Sequence, residues 1–428
     1  MATLVWFKND LRLDDNPVLR EALGSAACLP VYCLDPAQFV PGKLGLRACG
    51  ERRAAYLLEC LADLHASLQR LGSGLLVQLG AADRVLPQLC TQYAIGQVVT
   101  HAEHAPDEQA LLLRVATALP DGVALLQCQS NALFSAQDLP FALDKMPQVF
   151  TRFRNQVEKY PPGVAALPAP AQLPAWPVAT SSLAAGVPCL ADLGLTAPAH
   201  DPRSSLPYAG GEVAATAWLE EYFWRSQALR EYKTTRNQLQ GYNFSSKLSV
   251  ALAQGCLSPR RIVAELRRHE QCLGANESTY WLWFELLWRE FFRLNLALHG
   301  KHFFLRGGLH HGQPPTAHDQ RFDDWCAART GQAFIDASLR ELNASGFLSN
   351  RARQIVASYL IHDLQQDWRL GAAWFEQQLL DYDVASNWGN WAYIAGVGHD
   401  PRGGRHFNLS KQIEQYDPQG RYVATWSR

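Results

Sequence analysis

Residues 51–80 read ERRAAYLLECLADLHASLQRLGSGLLVQLG and change character near their middle. Residues 51–71 have the composition and apolar spacing of a helix, whereas residues 74–80 form a short apolar run typical of a buried strand. Similar runs occur elsewhere in this part of the chain: TLVWF at 3–7, CLPVYCL at 28–34 and GQVVTH at 96–101. The alternation predicts a parallel sheet flanked by helices, and we assign residues 1–130 to a doubly wound α/β domain.

The composition changes twice after this region. Ten of the chain's 24 prolines lie between residues 160 and 207, among alanine, serine and glycine, which argues against regular structure there. We therefore predict a connector over residues 131–212. From residue 213 to 428 the pattern is helical, and eleven of the 13 tryptophans lie beyond residue 200. This aromatic-rich helical domain is where we expect the chemistry.

The overall composition excludes several classes of protein. The chain has 428 residues, of which 48% are hydrophobic and 18% charged, as in folded globular proteins. Its ten cysteines form no CxxC pair, so no zinc or thioredoxin-like site is predicted. The formal net charge of −1 argues against a generally basic nucleic-acid coat but allows a local basic groove. No secretory signal or membrane-spanning run is evident, so we expect a cytoplasmic protein.

Residues 380–396, LDYDVASNWGNWAYIAG, combine acidic, amide and aromatic groups in one apolar-flanked turn. Asp381 and Asp383 precede Asn387, Trp391 and Tyr393. A packed helix does not require buried carboxylates, and a solvated loop does not require two tryptophans. The mixture indicates a pocket for a flat ligand that is polar at one edge.

Arg353, in NRARQIVASYL at 350–360, is a candidate partner for the two carboxylates of that pocket. A salt bridge between Arg353 and the acidic pair is one interpretation. Because buried Arg–Asp pairs contribute little net stability, the other interpretation is a cradle for the edge of a bound ring.

The run FSSKLS at 244–249 precedes a predicted helix. Its hydroxyl residues are suited either to capping the exposed N–H groups of that helix or to binding a phosphate there. The sequence alone favours neither interpretation. Ser258 before Pro259 predicts a second cap, which we interpret as structural.

A third candidate is WLWFELLWREFFR at 281–293. Trp281, Glu285, Trp288 and Phe292 have the spacing of one helix face. Aromatic packing explains three of them, but a buried carboxylate needs a partner. Glu285 therefore either pairs with Arg289 or faces a polar ligand, and Trp288 offers a face for stacking on a base.

Six motifs together, in this order, resemble the photolyase/cryptochrome family, and most closely the DASH cryptochromes. The resemblance runs from residue 4 to about 426, and its motifs are VWFKNDLRLDDNPVL, TRN-Q-L with FSSKLS, FELLWREFFR, NRARQIVASYL, DWRLGA and SNWGNWAYIAGVGHDPRGGRHFN. It implies an α/β antenna domain and a helical domain that binds FAD.

The resemblance assigns candidate FAD contacts position by position. One group matches the segment that grips the phosphates: Tyr232, Ser245, Ser246, Lys247, Leu248 and Ser249. Glu285 and Arg289 match positions beside the adenine and the substrate cavity. The groups around the isoalloxazine ring match Asn350, Arg353, Asp381, Asp383 and Asn387. Glu285 and Asn387 are also the predicted catalytic residues, since an asparagine facing flavin N5 is typical of the repair branch.

The family's electron relay would use Trp391 and then Trp368. Its third, surface tryptophan would fall ten residues before Trp325, where this chain has Pro315, and no tryptophan or tyrosine lies between Leu305 and Arg321. The relay therefore departs from the family pattern at its outer end.

The implied substrate is a cyclobutane pyrimidine dimer in single-stranded DNA. Trp288 matches one of the two tryptophans that flank the lesion in duplex-acting relatives, whereas Tyr393 takes the place of the other and Gln354 replaces a frequent methionine. Flipping from a duplex costs a few kcal/mol, which a single strand avoids. Arg402 and Arg405 are candidate DNA contacts, with ordinary solvated charges as the alternative, and we expect a monomer.

Glu108 matches a glutamate that contacts a folate antenna in relatives, which makes 5,10-methenyltetrahydrofolate a candidate second chromophore. A favourable acid at a helix N-terminus is the alternative for Glu108. Two other functions stay open: a blue-light photoreceptor that signals through a change in FAD redox state, and a nucleic-acid binder without repair activity.

Overall fold

The structure is a computed structural model and describes residues 1–42, 44–177, 186–400 and 402–427. The first part of the chain alternates strands and helices as predicted. Its strands are β1 (Ala2–Phe7), β2 (Ala27–Leu34), β3 (Leu76–Leu79), β4 (Ile95–His101) and β5 (Ala124–Cys128). Its helices are α1 (Pro17–Ala22), α2 (Glu51–Arg70), α3 (Ala82–Gln92) and α4 (Pro106–Ala118).

The five strands form one parallel sheet in the order β3-β2-β1-β4-β5. β1 is central, and Leu4, Val5 and Phe7 within it are fully buried because helices cover both faces of the sheet. The chain reverses its winding between β1 and β4. In doubly wound sheets such a switch point opens a crevice at the carboxyl ends of the strands, where ligands bind.

The second part of the chain is helical. A short helix, α5 (Phe150–Lys159), precedes it, and the helices that follow are α6 (Glu212–Glu220), α7 (Tyr232–Thr235), α8 (Ser249–Gln254), α9 (Pro259–Leu273), α10 (Glu277–His299), α11 (Gln320–Cys326), α12 (Ala333–Ser345), α13 (Asn350–Ser358), α14 (Trp368–Gln378), α15 (Val384–Ile394), α16 (Leu409–Tyr416) and α17 (Arg421–Trp426). Within the described ranges, no helix combines the length and apolarity that crossing a bilayer requires.

The region predicted as a connector is more ordered at its start than its composition indicated. Helix α5 lies inside residues 131–212, and Phe150 and Phe153 pack against Phe291 of α10. Residues 178–185 of the predicted connector lie outside the described residues. The described part after α5 is largely exposed or half-buried.

The α/β and helical domains are joined by a buried arginine. Arg12 is 1% exposed, and its guanidinium donates to Gly255 O at 2.9 Å, Ser130 O at 2.9 Å and Asn131 Oδ1 at 2.8 Å. Gly255 has φ +70°, and a Cβ there would lie 1.9 Å from Asn9 O. The backbones of the two domains therefore touch at this point, which only glycine permits.

Candidate functional site

A cavity of about 280 Å³ opens in the helical domain between α8, α10, α13 and α15. Its walls include every residue predicted to contact FAD: Tyr232, Ser245, Ser246, Lys247, Leu248, Ser249, Glu285, Arg289, Asn350, Arg353, Asp381, Asp383 and Asn387. These positions span more than 150 residues of sequence, so the fold alone brings them together. Gln354 and Trp391 line the same cavity.

The acidic end of the cavity contains a buried ion pair. Arg353 donates from Nη2 to Asp381 Oδ2 at 2.9 Å and from Nε to Leu348 O at 2.7 Å. The Asp381 side chain is only 3% exposed, and among the described residues its Oδ1 has no hydrogen-bond partner. The salt bridge of the first interpretation therefore forms, and it leaves one buried acceptor in the cavity wall, whereas the cradle for a bound ring stays a prediction.

Asp383 and Asn387 are held by hydrogen bonds to the backbone of α15 and α14. Asp383 is the N-cap of α15, where Oδ1 accepts from Ser386 N at 2.8 Å. Asn387, one turn further on, donates from Nδ2 to Ala372 O of α14 at 3.0 Å. This bond orients the amide of Asn387 at the cavity wall.

The partner of Glu285 is Arg236, at 2.6 Å, and not Arg289. Arg289 instead lies 3.8 Å from Asp383 and donates to Asn131 O at 2.9 Å, so pairing along α10, one of the two alternatives for Glu285, does not form. Burial raises the pKa of Glu285, and the charge of Arg236 opposes that shift. Arg236 also lines the cavity, and this arginine of the TRN motif has no role among the predictions from the sequence.

The serine-rich run does not cap a helix. Helix α8 begins at Ser249 after Leu248, and no side chain caps it, whereas Ser258 accepts from Arg260 N and Arg261 N as predicted for a structural cap. The hydroxyl residues of the run lie at the cavity wall, which favours the ligand-binding interpretation.

Lys247, within this run, directs its ammonium group to the preceding turn. The Nζ atom donates to Gly241 O at 2.9 Å and to Tyr242 O, and it lies 4.8 Å from the centre of the Phe244 ring. Burial lowers the pKa of Lys247 to about 7. The ammonium group is therefore engaged by the turn at 241–242, and a phosphate contact by it is not part of this arrangement.

Trp391 and Trp368, the two tryptophans of the predicted relay, each pack on a different tryptophan. Trp391 packs edge-to-face on Trp325 with ring centres 6.3 Å apart, whereas Trp368 packs edge-to-face on Trp388 at 5.7 Å. Trp391 also lies over Gly371, three positions after Trp368 on α14. The predicted relay from Trp391 to Trp368 stays a prediction.

The predicted substrate residues differ in how far the protein already engages their side chains. Trp288 stacks on Phe150 with ring centres 3.7 Å apart, and Tyr393 meets its edge at 6.0 Å. One face of the Trp288 indole is therefore covered by the protein. Arg402 is exposed, but the guanidinium of Arg405 is engaged by Asp400 and by the hydroxyl of Tyr393.

A second cavity, of about 770 Å³, lies between the two domains at the switch point of the sheet. Lys8 and Glu108 line it, and Arg289 and Asp383 line both cavities. Glu108 accepts from Ala105 N at 3.1 Å, so it also caps α4. Burial and the neighbouring Glu103 raise the pKa of Glu108 to about 8. The protonated carboxyl group can donate a hydrogen bond to a ligand in this cavity.

Comparison with known proteins agrees with this geometry. A family model described as "DNA photolyase" matches residues 3–174, and one described as "FAD binding domain of DNA photolyase" matches residues 281–427. A cryptochrome DASH of Gloeobacter violaceus is 46% identical over 426 residues, which are 99% of this chain and 85% of that protein. The chain belongs to the photolyase/cryptochrome family.

Within this family the chain is most like the DASH cryptochromes. The crystal structure of a cryptochrome from Synechocystis sp. superposes with a TM-score of 0.94 at 42% identity, over 100% of this chain and 88% of that one. An archaeal photolyase from Sulfolobus tokodaii, described with two FAD molecules, gives a TM-score of 0.78 at 26% identity, over 100% and 90% of the two chains. The family resemblance and the fold class that the sequence predicts are confirmed.

The helical domain is thus a photolyase-type FAD-binding domain, and the residues present fit that cofactor. The Oδ1 atom of Asp381 is a buried acceptor without a donor, as the N–H edge of a flavin ring would require. Hydroxyl groups of Ser245 and Ser249 lie elsewhere in the same cavity, where a diphosphate needs donors.

Proposed function

We propose that this protein is a light-driven DNA repair enzyme that splits cyclobutane pyrimidine dimers, preferentially in single-stranded DNA. The supporting observation is that one cavity, in a chain of the photolyase family, gathers the complete set of predicted flavin contacts. Bound FAD, once reduced and excited by blue or near-ultraviolet light, supplies an electron that opens the cyclobutane ring and then returns.

We assign the orientation of the flavin to the acidic end of the cavity. Asp381 would accept from the ring edge through its free Oδ1, while Arg353 holds its other oxygen. Asn387 would present its amide to the centre of the ring, in an orientation fixed by Ala372 O. The hydroxyl groups of Ser245, Ser246 and Ser249 would hold the diphosphate.

The lesion would enter from the side of Glu285 and Gln354. Burial raises the pKa of Glu285, and Arg236 at 2.6 Å holds that side chain in place, so its carboxyl group would face a base of the lesion in a fixed position. Tyr393 and Trp288 would flank the bases. Aromatic stacking of this kind contributes about 1–3 kcal/mol per base, which is comparable with the cost of unpairing a base that a single strand does not incur.

We further propose that the second cavity takes the folate antenna, with Glu108 as its hydrogen-bond partner. A flat heteroaromatic ring between the domains would meet the protonated Glu108 carboxyl, and its location at the switch point is typical of nucleotide-like ligands. The predicted monomeric state and cytoplasmic location belong to the same proposal.

The deciding experiment is repair of a defined lesion. The protein, loaded with FAD and chemically reduced, is illuminated with an oligonucleotide that carries one thymine dimer, as a single strand and as a duplex. Loss of the dimer only in light, and faster in the single strand, is expected. If neither form is repaired while the flavin is demonstrably reduced, the repair function is wrong and a photoreceptor becomes the better hypothesis.

A further inference from the structure

The side chain of Tyr393 is held by a guanidinium group that the sequence assigned to DNA. Arg405 donates from Nη2 to the Tyr393 hydroxyl at 2.6 Å, and its guanidinium carbon lies 5.2 Å from the centre of the ring. A tyrosine ring has one polar atom, and that atom is engaged here. The bond therefore fixes the direction of the ring, and Trp288 meets it at 6.0 Å with an interplanar angle of 85°.

Arg405 is in turn fixed by a buried carboxylate. Asp400, whose side chain is 0% exposed, accepts from Nε at 2.8 Å and from Nη2 at 3.2 Å. The planar fork of arginine suits this two-point contact, which lysine cannot reproduce. Three donor–acceptor contacts thus hold one side chain, and they lead from a buried anion to the hydroxyl of Tyr393.

The backbone of the same loop brings Arg405 next to Tyr393. Arg405 N donates to Ile394 O at 3.0 Å, directly after Tyr393. Gly396 has φ +74°, and a Cβ there would lie 2.4 Å from Gly403 O, so the loop closes tightly on itself. Arg405 is therefore placed beside Tyr393 by the fold and not by a chance side-chain conformation.

The side chain of Arg402, three residues earlier, is not held in place as that of Arg405 is. Its side chain is exposed, and among the described residues nothing accepts a hydrogen bond from its guanidinium. The backbone N–H of Arg402 does bond to Asp400 Oδ1 at 3.0 Å, so the two arginines share one anchor. Arg402 thus provides a matched control within the same loop.

We propose that Arg405 is a positioning residue that sets the lesion-facing orientation of Tyr393, and that Arg402 is the phosphate contact of this loop. The inference rests on the proposed function, because it gives Tyr393 the role of a platform for the damaged bases. A phosphate contact strengthens binding of any single strand, whereas an oriented platform strengthens binding only of the strand with a dimer.

The test measures dimer discrimination in the dark, independently of repair. Affinities are determined by fluorescence anisotropy for two single strands of equal sequence, one with a thymine dimer and one undamaged. R405M is expected to lower the ratio of the two affinities by ~5–10-fold, and R405K by nearly as much because the fork is lost. R402A should weaken both strands equally and lower the salt slope by ~0.7.

D400N separates the two roles most sharply. Removal of the anchoring charge releases Arg405, so the positioning role predicts a lower ratio even though the loop becomes more positive. A phosphate-contacting Arg405 would instead bind both strands more tightly with an unchanged ratio. In the Y393F background, R405M should change the ratio by less than ~2-fold, since the two residues act through one bond.

The outcomes distinguish this inference from the proposed function. If the parent protein discriminates the dimer but R405M weakens both strands equally, or R405K matches the parent, Arg405 contacts phosphate and the inference is wrong. If the parent protein does not discriminate the dimer at all, the proposed substrate is wrong as well.

Discussion

At the scale of single residues, the flavin site depends most directly on the carboxyl group of Asp381. One of its oxygens is paired with Arg353, and the other is buried without a donor. A buried acceptor without a partner costs about 1–3 kcal/mol, and a ligand N–H group recovers that cost on binding. The cavity is therefore prepared to accept a donor at one defined atom.

D381N should weaken FAD binding by ~10–100-fold, because the substitution removes the charge that strengthens both the Arg353 pair and the ligand contact. The measurement is quenching of flavin fluorescence as FAD is titrated into protein freed of cofactor. D336N is the matched control, since Asp336 is also buried but accepts from Thr330 N at 2.8 Å, far from the cavity residues. Equal affinity of D381N and the parent would contradict the assignment.

Glu108 gives the second cavity a measurable dependence on pH. Its pKa is about 8 in the folded chain, because burial and Glu103 disfavour its charge, and about 4.3 in an unfolded chain. Between these values the native state holds a proton that the unfolded state has released. The free energy of unfolding contributed by Glu108 is therefore fully present below the lower value and is lost as the pH rises toward the higher one.

E108Q should reduce the slope of the free energy of unfolding against pH, by up to ~1.4 kcal/mol per pH unit between about pH 5 and 8. Urea unfolding at several pH values gives the comparison, and E21Q, at an exposed glutamate, is the control. A profile of E108Q that parallels the parent would show that Glu108 is charged in the folded protein.

At the scale of elements, the packing of α15 against α14 and α10 depends on two glycines within the helices. A Cβ at Gly371 would lie 2.2 Å from the Trp391 ring, and one at Gly389 would lie 2.3 Å from the Phe292 ring. Glycine inside a helix costs about 1 kcal/mol relative to alanine. The chain accepts that cost because it brings an indole of the cavity wall against the backbone of α14.

G371A should therefore destabilise the protein by ~1–3 kcal/mol despite its better helix propensity, since Trp391 must move. The midpoint of thermal unfolding reports the stability, and FAD affinity reports the displaced ring. G163A serves as the control, because a Cβ at Gly163 meets nothing within 4 Å. A stabilised G371A would show that Trp391 does not pack in this way.

At the scale of the whole molecule, Arg12 makes the two domains a single structural unit. All its donors are used by the carbonyl and amide oxygens of Asp14, Asp15, Ser130, Asn131 and Gly255. Ion pairs beside it, Arg260 with Asp15 at 2.9 Å and Arg261 with Asp14 at 2.6 Å, connect the same two domains.

R12M should lower the free energy of unfolding by ~2–5 kcal/mol, because several buried acceptors lose their donor at once. Guanidinium unfolding followed by far-ultraviolet circular dichroism and by flavin fluorescence gives the comparison. R20M, at an exposed arginine of α1, should be within ~0.5 kcal/mol of the parent. A near-neutral R12M would mean that the junction does not contribute to stability.

Much of the site was predictable, because its residues belong to contiguous motifs whose spacing the fold preserves. What the sequence did not predict were the partners across elements. Glu285 and Arg289 have ideal helical spacing, yet Arg236, in the turn after α7, pairs with Glu285, and Asp383 attracts Arg289. The direction of the Lys247 ammonium group was also missed, since it depends on carbonyls presented by a preceding turn.

Arg12 holds the two domains together by hydrogen bonds, and the described connector between them is exposed. Together these two features predict that fragments of the chain can complement each other. A backbone cut between residues 186 and 206 would sever no contact at the junction, so the two pieces should stay associated in native buffer and separate only in denaturant. The same reasoning predicts that halves produced separately can reassemble into one flavin-binding particle. Co-elution of the two halves in size-exclusion chromatography would report this reassembly directly, since every residue of the flavin cavity lies in the second half.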